Sequence, residues 1–220
     1  MWIALALALA LAGCVGSQPP GGGTIVWESF PYDGQRTWEY VSTDPAIPYK
    51  LVVEIFGPGE PGLLDTTVYT LHYKQDCFQN DPSCVTGEIL RIMKWSSDPT
   101  HGVLVHGFGD LGAMTDFDPP IQISADDASR DDFWETTTGG ATWTSTYTGI
   151  GPCAIAMDQS WPECFIFEVE TDAGEGYPLA GTWQSAQANG VASLEIATET
   201  GRWELNDFWC DEPGCGEDWY

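Results

Sequence analysis

Six cysteines fall in three close pairs, Cys77 with Cys84, Cys153 with Cys164, and Cys210 with Cys215. An even set of thiols in an exported chain reads as three disulfides. Many connectivities are open to six cysteines, and nearness in sequence favours closure within each pair. The segments inside the first and third pairs contain Pro and turn formers, and the second encloses Trp161-Pro162. Each closed loop restricts the unfolded chain by about 2–3 kcal/mol. Zinc is the competing chemistry for thiols. No C-x-x-C occurs, however, and only His72, His101 and His106 could add imidazole. Acidic side chains offer a second chemistry. Asp110, Asp116 and Asp118 lie close together, as do Asp126, Asp127, Asp131 and Asp132, and as do Asp207, Asp211, Glu212, Glu217 and Asp218. Such loops could donate oxygens to calcium. No EF-hand loop or Gly-Asp repeat is present, so a solvated acidic face is the stronger expectation and calcium the weaker one. Two carboxylates could also run a glycosidase, but nothing marks an acid and a nucleophile among the 33 acids.

Other catalytic signatures are missing. There is no G-x-S-x-G elbow, no phosphate-binding Walker loop and no G-x-G-x-x-G. His106, in Val105-His-Gly-Phe-Gly109, has no partner motif and reads as a satisfied strand histidine. His101 and His106 are five apart, which puts them on opposite faces of a regular strand and argues against a shared metal. The sequence therefore points to cross-linking rather than catalysis, with no catalytic residue, metal ligand or cofactor expected.

The chain must be placed before it can be folded. Its 220 residues hold 7 Lys and Arg against 33 Asp and Glu, a formal net charge of -26. A field of that sign repels nucleic acid and anionic lipid. A 43% hydrophobic share and 11 tryptophans supply a core and argue against disorder. Trp2 to Ala12 is apolar throughout, too short to span a bilayer and of signal-peptide length. It runs into Leu11-Ala12-Gly13-Cys14, which resembles the lipobox of bacterial lipoproteins. The resemblance implies a signal peptide over 1–13 and diacylglycerol on Cys14. It also implies a cell-envelope address, at the outer membrane or cell surface because Val15 stands where Asp would favour the inner membrane. The segment before the apolar run has no Lys or Arg, a departure from the pattern, and a plain secretory signal is the alternative. Residues 14–24, rich in Gly, Ser and Pro, read as a flexible tether, so the membrane is expected to be reached through the lipid anchor only.

Beyond the tether the period is two. Lys50–Phe56, Asp65–Tyr73, Glu88–Trp95, Gly102–Phe108, Ile121–Ser124, Ala141–Tyr147 and Cys164–Glu170 are bounded by turn residues. Ala192–Ala197 and Arg202–Leu205 flank Thr198-Glu-Thr-Gly201 and read as the clearest hairpin. The stretch 125–135 is the single place for a short helix. One domain over 25–220 is expected. Its class is all-β: a single curved antiparallel sheet, half-barrel or sandwich-like, with at most one short helix and disulfide-stapled loops. Gly precedes Trp at Gly34/Trp38, Gly140/Trp143, Gly181/Trp183 and Gly201/Trp203. A tryptophan-lined binding surface is one reading. Aromatics filling a β core beside turns is the stronger one.

Ser29-Phe-Pro-Tyr-Asp-Gly-Gln-Arg-Thr-Trp38-Glu-Tyr40 resembles the F-P-x-x-x-G-x-x-W-x-Y opening of many uncharacterised bacterial envelope lipoproteins. Asp118-Pro-Pro-Ile-Gln-Ile, Gly139-Gly-Ala-Thr-Trp143, Gly190-Val-Ala-Ser-Leu-Glu-Ile and Trp203-Glu-Leu-Asn-Asp-Phe208 match later parts of that pattern loosely. Ala192 replaces a glycine, and the six cysteines and the acidity lie outside it. Such proteins are similar in outline to lipoprotein-carrier half-barrels, whose curved sheet wraps an apolar cavity. The resemblance implies a lipid-anchored, non-enzymatic envelope protein that holds an apolar ligand or presents a structural or interaction surface to another envelope protein. The alternative is a carbohydrate- or polymer-binding module using exposed Trp, and a hydrolase is a third reading.

Overall fold

The computed structural model describes residues 24–25, 36–78, 84–125, 127–157, 163–173, 179–186, 190–196 and 201–210. Their strands are β1 (Thr24–Ile25), β2 (Arg36–Ser42), β3 (Tyr49–Pro61), β4 (Thr67–Cys77), β5 (Ile89–Asp98), β6 (Gly102–Asp110) and β7 (Ala113–Ser124). The chain continues through β8 (Asp127–Ala128), β9 (Phe133–Thr138), β10 (Ala141–Gly151), β11 (Cys164–Thr171), β12 (Gly181–Ala186), β13 (Gly190–Ile196) and β14 (Trp203–Cys210). The expected all-β class holds. Twelve strands form one antiparallel sheet in the order β7-β6-β5-β4-β3-β2-β14-β13-β12-β11-β10-β9, and β1 pairs with β8 beside it.

That sheet curls until it nearly closes. β7 packs against β9 and β10 without a backbone ladder. Side chains join them instead: the Gln122 amide donates to Thr136 Oγ1 at 3.2 Å, and Ser145 Oγ donates to the Ile123 carbonyl at 2.7 Å. These bonds satisfy backbone groups of an edge strand that would otherwise invite another chain.

Alternation produces the two faces. In β10, Ala141, Trp143, Ser145 and Tyr147 turn inward, and Thr142, Thr144, Thr146 and Thr148 turn outward. The inward set of every long strand joins one core cluster. β5 and β12 stand far apart in the sheet order, yet Trp95 and Trp183 meet with ring centroids 5.7 Å apart. Phe117 on β7 meets Trp143 on β10 at 6.1 Å, and Tyr147 meets Phe167 at 5.3 Å. The Trp95–Trp183 contact crosses between distant strands, so aromatic side chains pack across the concave side.

Two local expectations change. The stretch 125–135 makes β8 and the start of β9 rather than a helix, with Asp131 at φ 70 turning the chain between them. β8 pairs with β1 and β9 with β10, and those ladders hold the backbone extended. The Pro119-Pro120 pair lies inside β7 rather than before it. Register jumps from Gly107↔Asp116 to Val105↔Ile121, so both prolines fall in a bulge where no ladder donor is needed. The hairpin expected at Ala192–Leu205 forms: β13 and β14 pair antiparallel, among the described residues at Ser193↔Glu204 and Leu194↔Trp203. Among the described residues it is the shortest joint in the sheet.

Candidate functional site

Cys77 bonds Cys84 and Cys153 bonds Cys164. The third proposed pair lies outside the described side chains, as does Cys14. The Cys77–Cys84 loop leaves β4 for β5 and is held by Gly87 N to Gln75 O at 2.8 Å and Cys77 N to Thr86 Oγ1 at 3.2 Å. The Cys153–Cys164 loop does something different. From Gly151 the chain passes over the outer face of the sheet. Ala154 N donates to Gln184 Oε1 of β12 at 2.7 Å, and Ala156 N donates to the Leu205 carbonyl of β14 at 2.9 Å. Ile155 makes a parallel bridge with Leu205. Ile155 and Cys153 pack on Cys164, Ala186 and Ala192, a small second core, and Ile155 also packs against the main core. The strap thus spans from β11 to β14 and supplies backbone partners to β14 where β13 has left it. On the inner side Tyr40 Oη donates to the Val191 carbonyl at 2.8 Å. Burial, with Tyr73 nearby, holds that phenol protonated by raising its pKa well above the ordinary value.

A second cluster lies on the outer face of β5 and β6. Ser96 Oγ and His106 Nε2 are 2.8 Å apart and buried. Sequence reading found the histidine and not its serine, because the pairing depends on the β5–β6 register, which breaks between Lys94 and Trp95. Burial, helped by the Lys94 charge and opposed by Asp98, lowers the His106 pKa to about 4, so the ring is neutral near pH 7. A neutral histidine beside a serine could in principle act as a base. Here Asp98, the carboxylate whose charge bears on His106, directs its Oδ1 to its own turn. Asp98 Oδ1 accepts from Thr100 N, His101 N and His101 Nδ1 at 2.8, 2.9 and 3.2 Å. Ser96 is fully buried, so the pair stiffens the sheet rather than meeting substrate. His72 is likewise held neutral, chiefly by burial and then by Lys74, against the pull of Glu54, and stacks under Phe56 at 4.3 Å.

The acidic groups disperse. Asp110 pairs with Arg91 and Asp116 with Lys94. Asp127, Asp131 and Asp132 are exposed, and Asp132 accepts from Ser129 N. Asp126, Asp211, Glu212, Glu217 and Asp218 lie outside the described residues, while Asp207 is exposed and its Oδ1 accepts from Phe208 N at 2.9 Å. Among the described residues no three His, Cys, Asp or Glu side chains converge on a point that could hold a metal ion. The tryptophans are 1%, 3% and 4% exposed at Trp143, Trp183 and Trp203, and all belong to the one core. They cannot form a platform for sugar rings.

Fold and linkages together define a packed, disulfide-stapled β barrel with a strap across one joint. No known protein family, curated protein or solved structure matches the chain.

Proposed function

We propose that this protein is a lipid-anchored, non-enzymatic component of a bacterial cell envelope. In this reading diacylglycerol on Cys14 holds the chain at a membrane, residues 14–24 are the tether, and the barrel presents a structural or interaction surface. The observation that carries it is the filled interior. A ligand carrier needs a hollow lined with apolar groups, whereas Trp95, Trp143, Trp183 and Phe167 occupy the concave side of this sheet. That favours the outside of the barrel as the working surface over storage of an apolar ligand. Buried tryptophans likewise remove the main support for a carbohydrate-binding module built on Trp143, Trp183 and Trp203. The test is the mass of the N-terminal peptide from protein extracted in detergent from a bacterial host. Diacylglycerol on Cys14, lost in Cys14→Ser together with membrane retention, is expected. A chain cut elsewhere and released without lipid would overturn the anchor.

A further inference from the structure

Strand direction sorts the loops of this barrel onto two rims. All neighbours in the sheet are antiparallel. The β3–β4 turn, the β5–β6 turn, the end of β7, the starts of β2, β9 and β11, and the ends of β10 and β14 therefore share one rim. The β6–β7 turn, the β4–β5 loop and the β9–β10 turn share the other. β1 pairs with Asp127 and Ala128 directly after β7, so the chain enters the domain at the first rim.

Both rims carry exposed apolar side chains, with Phe78, Val85 and Leu111 on the second, and it is the tether that singles out the first. Leu63 and Leu64 in the β3–β4 turn, Phe133 at the start of β9, Ile150 near the end of β10 and Trp209 near the end of β14 are each at least 41% exposed. They come from four separate parts of the chain. The leucines are also held outward at a cost. Leu64 and the following Asp65 have φ of 60 and 56, the left-handed region that side chains disfavour. The turn is locked there by Gly62 N to Thr66 O at 2.9 Å and Thr66 Oγ1 to Leu63 O at 2.8 Å. Gly62 is fixed as glycine because a Cβ there would collide with Val68 and Thr66. A strained turn that shows two leucines to solvent is a feature that needs an apolar counterpart.

We infer that this rim rests on the membrane surface, with Leu63, Leu64, Phe133, Ile150 and Trp209 dipping into a zwitterionic lipid interface. The inference deepens the anchored reading above and rests on it. Thr24 follows Cys14 by ten residues (24 − 14), a span of at most about 33–36 Å when extended. The acyl chains on Cys14 thus hold the entry rim close to the lipid surface. Lipid is favoured over a protein groove because the tether fixes which surface the rim meets first. The head group follows from charge. Asp127, Asp131 and Asp132 are exposed at this rim beside Arg130. A zwitterionic head group offers an ammonium to the carboxylates and a phosphate to the arginine, whereas anionic lipid meets mainly like charge.

The test uses the complete lipid-bearing protein in phosphatidylcholine vesicles, with a photoreactive side chain at one site at a time. Leu64→p-benzoylphenylalanine and Phe133→p-benzoylphenylalanine should cross-link to lipid several-fold more than Leu111→p-benzoylphenylalanine, which sits on the opposite rim and is more exposed than either. Phosphatidylglycerol vesicles should give weaker cross-links at the first two sites. Equal yields at all three sites, or cross-links at Leu64 to protein in place of lipid, would overturn the inference. The mass at Cys14 in the same sample separates the two readings. With Cys14 acylated, equal yields defeat rim contact alone. With Cys14 unmodified, the anchor is defeated, and the yields still decide rim contact by the same comparison.

Discussion

The two described disulfides close loops of similar length, 7 and 11 residues apart in sequence, in different settings. Cys77–Cys84 ties off a loop at the end of β4, where the β3–β4 ladder runs unbroken from Phe56↔Thr70 to Tyr49↔Cys77 and the β4–β5 ladder reaches Lys74↔Ile89 after one register shift. Cys153–Cys164 fixes a strap that reaches over β12 and β13 to a joint held, among the described residues, by two residue pairs. Loop entropy alone makes the two bonds nearly equal, because closure cost grows only slowly with length. What separates them is what the closed loop touches. One bond restrains a loop that the sheet does not need, and the other holds a segment that supplies the sheet's missing hydrogen bonds.

Removing each bond is the most direct way to break that comparison. Cys153→Ser with Cys164→Ser should cost about 4–5 kcal/mol, the loop-entropy term plus loss of the strap's hydrogen bonds and of packing on Ala186 and Ala192. Cys77→Ser with Cys84→Ser should cost only the entropy term, about 2–3 kcal/mol. Urea midpoints for the two double variants measure both. Equal losses would mean that the strap stays docked without its bond and that the contrast is empty.

Sequence pattern found what depends on neighbours along the chain. The strands at Lys50–Phe56, Ala141–Tyr147 and Cys164–Glu170 show plain alternation, and each forms where expected, because one face must be buried and the period is two. The core role of Trp143, Trp183 and Trp203 was also legible from their place beside turns. What stayed hidden depends on residues that meet only after the sheet curls. The β7 closure through Thr136 and Ser145 uses small hydroxyls that any strand can carry. The weak β13–β14 joint was masked by a strong turn signal, since turn residues report that the chain reverses and not how far the strands then pair. Ser96 became a partner for His106 through a register break, which no spacing rule reveals.

The buried histidine sharpens the comparison by acting on both variants alike. His106 has its pKa lowered from 6.5 to about 4 in the folded state. The unfolded chain therefore takes up its proton first as pH falls. Stability is unaffected well above pH 6.5, declines as pH drops through the window between the two values, and levels below it. His72 contributes in the same direction. His106→Gln keeps a polar partner for Ser96 and removes the titration. The difference in stability between pH 7 and pH 5 should shrink by about 1–2 kcal/mol in this variant. The shrinkage should be the same in either disulfide background, because Ser96 sits near the end of β5 far from the Cys77–Cys84 loop and several strands from the strap. Carboxylate titration is common to parent and variant and cancels. An undiminished pH slope would show that His106 is not the group responsible.

The smallest effect tests the strap itself. Gln184 Oε1 accepts from Ala154 N, and this bond stands between the disulfide at one end of the strap and the Leu205 bridge at the other. Gln184→Ala removes one part-buried hydrogen bond and should cost about 1 kcal/mol in the parent protein. If the Cys153–Cys164 bond is what holds the strap down, the same substitution should cost nearly nothing once those cysteines are serines, because the bond is already lost. In the Cys77→Ser and Cys84→Ser background it should keep its full cost. The coupling between Gln184 and each disulfide is then large in one cycle and near zero in the other. Additive costs in both cycles would place the strap's stability in its hydrogen bonds alone and make its disulfide no different in kind from the one at the other rim.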